Sequence, residues 1–294
     1  MGARGLTPAG ACRSKRLVAL SALSRGLLAA AGLASMSAAT AFAPVEPAPA
    51  PELRLQWQPA PFSGRRPVVV ALHGCSGLTT SRGVLDARYI EYAARWNAAG
   101  WHVLLPDSFR ARGKTSTCRE PSAERSVTVA MRRQDVNIAL QWLTSQPDVD
   151  PRRVALVGWS NGGSTVLRTI HRPDWTLAPV AAVALYPSCA ASLRNERYAT
   201  TVPLLLMVGA LDDWTPPQPC EDLARRLTSS TPAAAVQFVS YADSYHGFDS
   251  STSVRKLKDI PSGVDGRSVR VGGNPAARAD ALKRIDQFLR QHLD

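Results

Sequence analysis

The 294-residue chain is 45% apolar and 20% charged, which excludes a disordered or collagen-like chain. Its 35 basic and 23 acidic residues give a formal charge of +12, but Arg4, Arg13, Lys15, Arg16 and Arg25 fall in the first 43 positions, which hold no acid. The remaining +7 is scattered without a run of five like charges, so nucleic-acid binding is not expected.

Residues 1–16 carry most of those early cations, and residues 17–35 are mostly Leu, Ala, Val and Gly. Ala39-Thr40-Ala41 and Ala41-Phe42-Ala43 follow. This basic, apolar, A-x-A order reads as a signal peptide over residues 1–43 and predicts a periplasmic or secreted protein. Arg25 cuts the apolar run below the roughly 20 residues a membrane span needs, so no stable span is expected after signal removal. Residues 44–64 read as a Pro-rich linker (PVEPAPAP at 44–51) and an N-terminal segment. Cys12 leaves with the signal. Cys75, Cys118, Cys189 and Cys220 stand far apart with no C-x-x-C, an even count that favours two disulfides over a metal site.

From residue 65 onward, short apolar runs alternate with amphipathic segments. The runs 67–72, 101–105, 153–157, 180–186, 204–208 and 235–241 read as strands apolar on both faces, as in a buried parallel sheet. Residues 84–98 predict a helix with Leu85, Ile90, Ala93, Ala94 and Ala98 near one face. Residues 122–145 predict another, with a stripe of Val129, Val136, Ala139, Leu140 and Leu143, and Arg132, Arg133 and Asp135 opposite. Helices are also expected over 163–170, 220–228 and 276–293, the last opened by Asn274-Pro275. The alternation predicts one doubly wound α/β domain over residues 65–294.

Directly after the run 153–157 stands Gly158-Trp159-Ser160-Asn161-Gly162, a G-x-S-x-G between strand and helix. A sharp turn there lifts the Ser160 hydroxyl clear of the sheet and aims a helix N-terminus at a forming oxyanion. A serine nucleophile needs a base, and the base an orienting acid, here expected in the order Ser, acid, His. The run 204–208 leads into Gly209-Ala210-Leu211-Asp212-Asp213. Asp212 is the expected acid, with Asp213 its competitor and the loser a turn or capping residue. Among the five histidines, His73 precedes the nucleophile, His102 lies in a strand, and His171 and His292 end helices. His246, on the loop past 235–241, is the expected base. The Gly-containing loop at 72–77 approaches the substrate carbonyl, and the Cys75 and Asn161 N–H groups are the expected oxyanion donors, with His73 as a loop-fixing hydrogen bonder. Trp159 and Trp214 flank nucleophile and acid, and pocket wall or plain packing remain open for both. No metal or organic cofactor is expected, and the expected partner is a small-molecule ester.

At these residues the chain resembles the dienelactone hydrolase family of α/β-hydrolases. The motifs are HGCSGL (73–78), DSFRARG (107–113), GWSNGGST (158–165), YPSC (186–189), GALDDWTPPQPC (209–220), YHGFD (245–249) and GGNPAARADA (272–281). The resemblance implies an α/β-hydrolase fold, a mostly parallel sheet with helices on both faces. Members that open cyclic dienelactones use a cysteine nucleophile, whereas this chain has Ser160. The expectation is therefore ester or lactone hydrolysis through an acyl-serine and a Ser-His-Asp triad. Acyl transfer by the same triad and a non-catalytic binding role are the alternatives. A haloalkane dehalogenase would need a carboxylate at position 160. In such a sheet the strand before Cys75 neighbours the one ending at Pro106, and the strand ending at Pro187 neighbours the one ending at Val208. The pairing Cys75–Cys118 and Cys189–Cys220 follows from that order.

Overall fold

The computed structural model describes residues 52–171, 174–230 and 235–294, so segment 1–43, expected as a signal peptide, and the Pro-rich run 44–51 lie outside it. Seven strands form one sheet: β1 (Arg54–Gln58), β2 (Arg66–Leu72), β3 (His102–Asp107), β4 (Val149–Trp159), β5 (Ala181–Leu185), β6 (Leu204–Gly209) and β7 (Val236–Tyr241). Their order is β1-β3-β2-β4-β5-β6-β7. β1 runs antiparallel to β3, and every other pairing is parallel.

Helices α1 (Ala87–Ala98) and α6 (Pro275–Leu293) cover one face, while α2 (Val129–Thr144), α3 (Asn161–Ile170) and α5 (Gln218–Ser230) cover the other. A short α4 (Ala190–Arg194) precedes β6. The period-two geometry of a strand explains the paired cores. Val69 and Ala71 of β2 pack with α1 and α6, and Val68, Val70 and Leu72 pack with α2 and α3. Both faces are covered, so the middles of β2 to β6, such as residues 154–157 of β4, read as apolar runs. Among the described residues, no helix is long and apolar enough to cross a membrane.

Four features depart from the sequence expectation. The sheet reaches back to Arg54, inside the segment expected as linker. Leu55 and Trp57 alternate onto the α2 face, where Trp57 meets His102 and Trp142. The unpatterned stretch 250–273 contains a hairpin, β8 (Arg255–Lys258) with β9 (Ser268–Val271). In α1 the buried stripe is Tyr89, Tyr92, Ala93 and Trp96, and Ile90 is exposed. Aromatic rings spaced along one side bury more apolar area than a single isoleucine, and they set the helix phase. In α2, Arg132 and Asp135 point inward and are buried.

The strand order reverses at β2, which has β3 on one side and β4 on the other. Loops leaving the carboxyl ends of β2 and β4 diverge there, and such a switch point opens a ligand crevice.

Candidate active site

β4 ends at Trp159 and α3 begins at Asn161, so the chain reverses within Ser160 alone. Ser160 has φ 52° and ψ −116°, a conformation side chains other than glycine rarely adopt. The surroundings hold it there: Ser160 N–H donates to the Leu185 carbonyl at 2.8 Å, and Ser164 N–H donates to the Ser160 carbonyl at 2.9 Å. The flanking glycines are required by space. A Cβ on Gly158 would strike the Gly162 carbonyl, and one on Gly162 would strike the Leu72 carbonyl of β2.

The Ser160 hydroxyl donates to His246 Nε2 at 2.9 Å, and His246 Nδ1 donates to Asp212 Oδ2 at 2.8 Å. Asp212 is 4% exposed and its charge is fully hydrogen-bonded. Oδ1 accepts from the Trp214 and Thr215 amides at 2.9 and 2.8 Å, and the Thr215 hydroxyl lies 2.9 Å from Oδ2. Asp213 instead pairs with Arg270 on β9, Nε to Oδ2 at 3.0 Å, and accepts the Arg270 amide. It is a surface ion pair and not a cap. The His246 loop bridges to Val271, and its ring lies against Tyr186 and Trp214.

Cys75, Ser160 and Asn161 line one cavity of about 500 Å³. Among the described residues, neither the Cys75 nor the Asn161 amide donates to a protein acceptor. The 72–77 loop is tied down on several sides. Gly74 N–H donates to the Tyr89 hydroxyl at 3.0 Å, and the Cys75 carbonyl accepts from Thr117 N–H at 2.8 Å. His73 Nδ1 donates to the Gly74 carbonyl at 2.8 Å. Burial, aided by the Arg132 charge, holds the His73 ring well below the usual histidine range, so it is neutral.

Disulfides join Cys75 to Cys118 and Cys189 to Cys220, as the sheet order implied. Each clamps a loop beside the site, closing 43 and 31 residues of chain. Replacing both cysteines of either bridge with serine should cost about 2–4 kcal/mol in denaturant unfolding. The Cys75–Cys118 variant should also lose turnover, because Cys75 lines the same cavity as Ser160.

The two tryptophans separate. Trp214 lines the cavity and anchors the β8–β9 hairpin, its Nε1 donating to the Ser262 hydroxyl at 3.0 Å. Trp159 does not line the cavity. It is fully buried among Tyr89, Tyr92 and Trp96, because residue 159 is the last of β4 and faces the α1 layer.

Two buried charges escaped the sequence reading. Asp249 accepts from Trp159 Nε1, the Tyr92 hydroxyl and the Tyr186 hydroxyl at 2.7–3.0 Å, with Arg88 3.9 Å away. It anchors the chain three residues past His246. Its place in the Tyr245–Asp249 motif was the available signal. Arg132 donates to the His73 carbonyl at 2.7 Å and to Asn161 Oδ1. No one-dimensional signal separates it from Arg133 beside it.

The cavity wall also carries Arg125, Arg168 and Arg194, and no carboxylate lines it. None of the three makes an ion pair among the described residues. Arg125 Nε is buried without a partner, and burial lowers its pKa, with Glu120 offsetting only part.

Residues 56–293 match the profile of the dienelactone hydrolase family. No curated protein matches the chain. Solved structures share the fold at low identity. A thermophilic esterase from Thermogutta terrifontis, with butyrate bound, is 18% identical, with TM-score 0.57 over 81% of this chain and 89% of that one. A carboxylesterase from Lactobacillus plantarum is 17% identical, with TM-score 0.56 over 82% and 94%. A dienelactone hydrolase-like promiscuous phosphotriesterase from metagenomic libraries is 21% identical, with TM-score 0.56 over 82% and 92%.

Proposed function

The chain belongs to the dienelactone hydrolase family, and from that membership we propose an exported serine hydrolase that cleaves a carboxylic ester or lactone through an acyl-serine intermediate. The observation that carries this reading is the continuous hydrogen-bonded line from Ser160 through His246 to Asp212. His246 Nε2 takes the Ser160 proton as Oγ attacks the ester carbonyl carbon. Asp212 keeps the other imidazole proton on Nδ1 and stabilises the imidazolium. The carbonyl oxygen becomes an oxyanion, received by the Cys75 amide of the 72–77 loop and by the Asn161 amide at the N-terminus of α3. His246 then protonates the departing alcohol. Water, deprotonated by the same nitrogen, attacks the acyl-serine and releases the acid.

Labelling by a fluorophosphonate tests the nucleophile: one adduct is expected, on Ser160, with loss of p-nitrophenyl ester hydrolysis in step. A protein that turns over esters with Ser160 unlabelled, or that takes no label at all, is not this enzyme. Export is supported by the A-x-A segment and by the two disulfides, which persist in oxidising compartments. N-terminal sequencing of protein from the periplasm or medium, with a start between residues 40 and 45, checks it.

The arginines of the cavity wall favour a substrate that carries negative charge. An unpaired, partly desolvated guanidinium gains about 1.5–3 kcal/mol from a charged acceptor. At matched length, an ester bearing a carboxylate should show a KM about tenfold below its neutral counterpart. Arg125→Ala should remove most of that difference, and added salt should shrink it. Paired KM measurements on the two esters decide the matter.

A further inference from the structure

The geometry points to Arg132 as a positioning residue of the oxyanion pocket, a buried guanidinium that ties the 72–77 loop to the first turn of α3 and leaves the Cys75 and Asn161 amides free for the oxyanion. This inference rests on the acyl-serine reading above.

Arg132 is 1% exposed, on the side of α2 that faces α3. Among the described residues it makes no ion pair with a carboxylate, and Asp135 and Asp107 favour its charge only from farther off. Asp135, one turn along the same helix, is held by Arg112 through two hydrogen bonds of 2.8 and 2.9 Å. Asp107 Oδ1 accepts from the Phe109 and Arg110 amides. The acceptors of Arg132 are the His73 carbonyl at 2.7 Å and Asn161 Oδ1, with the Phe109 ring 5.4 Å from the guanidinium carbon. Burial pulls its pKa down to about 10, which still leaves it charged at neutral pH.

A buried cation whose nearest carboxylates are hydrogen-bonded elsewhere is costly, and a position that needed only packing would be better served by an apolar side chain. Both acceptors of Arg132 lie next to the nucleophile turn: Asn161 follows Ser160 in the chain, and the His73 carbonyl abuts Gly162. The His73 carbonyl is part of the strand-end backbone against which Gly162 packs, so the guanidinium fastens two segments already in contact. Asn161 explains the second bond. An asparagine in the first turn of a helix competes for backbone amides with its own side-chain oxygen. Arg132 occupies that oxygen, and the Asn161 amide stays directed to the cavity. The positive charge, bonded to the Asn161 side chain and to the His73 carbonyl, also favours a negative charge developing nearby.

The experiment compares wild type, Arg132→Met, Arg132→Lys and Asn161→Ala for kcat and KM on a p-nitrophenyl ester. It adds the second-order rate of Ser160 phosphonylation and the thermal midpoint of each variant. Arg132→Met should lower kcat by about 10²-fold, the order of one lost oxyanion donor, with KM within about threefold. Phosphonylation should slow by a similar factor. Arg132→Lys, which keeps the charge and one of the bonds, should recover at least about tenfold. Arg132→Met should cost less in an Asn161→Ala background than alone, because both changes break the same contact. A lowered thermal midpoint with kcat and phosphonylation at the wild-type rate would make Arg132 structural only and overturn the inference. If Arg132→Met does not fold, wild-type kcat and phosphonylation rate in Asn161→Ala, which breaks the same contact, overturn it equally. A wild-type protein that neither hydrolyses esters nor takes the phosphonate overturns the hydrolase reading itself, and the role of Arg132 falls with it.

Discussion

Ser160→Ala and His246→Ala each lower ester hydrolysis by about 10⁴-fold or more, and the double variant is no slower than the worse of the two. Nucleophile and base act as a unit, so removing the second member after the first has little left to remove. Ser160→Ala deletes the attacking oxygen. His246→Ala leaves it, but with no acceptor at 2.9 Å for its proton. The phosphonate adduct should vanish in Ser160→Ala and form far more slowly in His246→Ala. What remains in either variant comes from the Cys75 and Asn161 amides and from substrate binding alone. Both should keep the wild-type thermal midpoint to within a few degrees, since Ser160 lines the cavity and neither Ser160 nor His246 belongs to the apolar clusters on the two sheet faces. Steady-state rates and thermal melts check both halves, and an additive loss in the double variant would show that the two residues do not share one step.

Asp212→Asn costs about 10⁴-fold in kcat, while Asp213→Asn changes it by less than about threefold. The asparagine amide group presents N–H to His246 Nδ1 and forces the imidazole into the tautomer that cannot take the Ser160 proton. The Trp214 and Thr215 amides still find the remaining side-chain oxygen, so the loop geometry survives and the loss is one of chemistry. Asp213 faces the other way, toward Arg270, at the edge of the β8–β9 hairpin. A surface ion pair of this kind contributes about 1 kcal/mol or less, and its loss leaves the triad in place. Comparing kcat for the two variants at neutral pH separates neighbouring carboxylates that a sequence alone ranks only by their distance from Gly209.

The strands buried on both faces were legible because continuous apolar runs such as Val68-Val69-Val70 have no other home in a chain of this kind. The hydrogen-bonded line Ser160–His246–Asp212 was legible because chain order and loop position left one histidine and two adjacent aspartates. β1 was not, since five residues after a Pro-rich run carry too little pattern, and Leu55 and Trp57 gain their partners only once α2 is in place. The phase of α1 was misread because alanines and an isoleucine were weighed above tyrosine, whose hydroxyl finds a buried partner: Tyr89 binds the Gly74 amide and Tyr92 binds Asp249. Arg132 was placed on a polar face by the same logic that places most arginines correctly. Its acceptors, at positions 73 and 161, become neighbours only through the sheet.

The two cystines are consecutive in the chain: the first closes at residue 118, before the second opens at 189. A polypeptide entering an oxidising compartment amino end first presents Cys75 and Cys118 to each other while the later thiols are still behind it. The first pair can close before any wrong partner arrives, and Cys189 and Cys220 then have only one another. Of the three pairings that four cysteines allow, the native one is the one that emergence order favours by itself. For the export proposed above, this connectivity calls for a thiol oxidant but not for an isomerase to reshuffle bonds. Refolding from the fully reduced, full-length chain loses that order, and scrambled species should accumulate there that never form during synthesis.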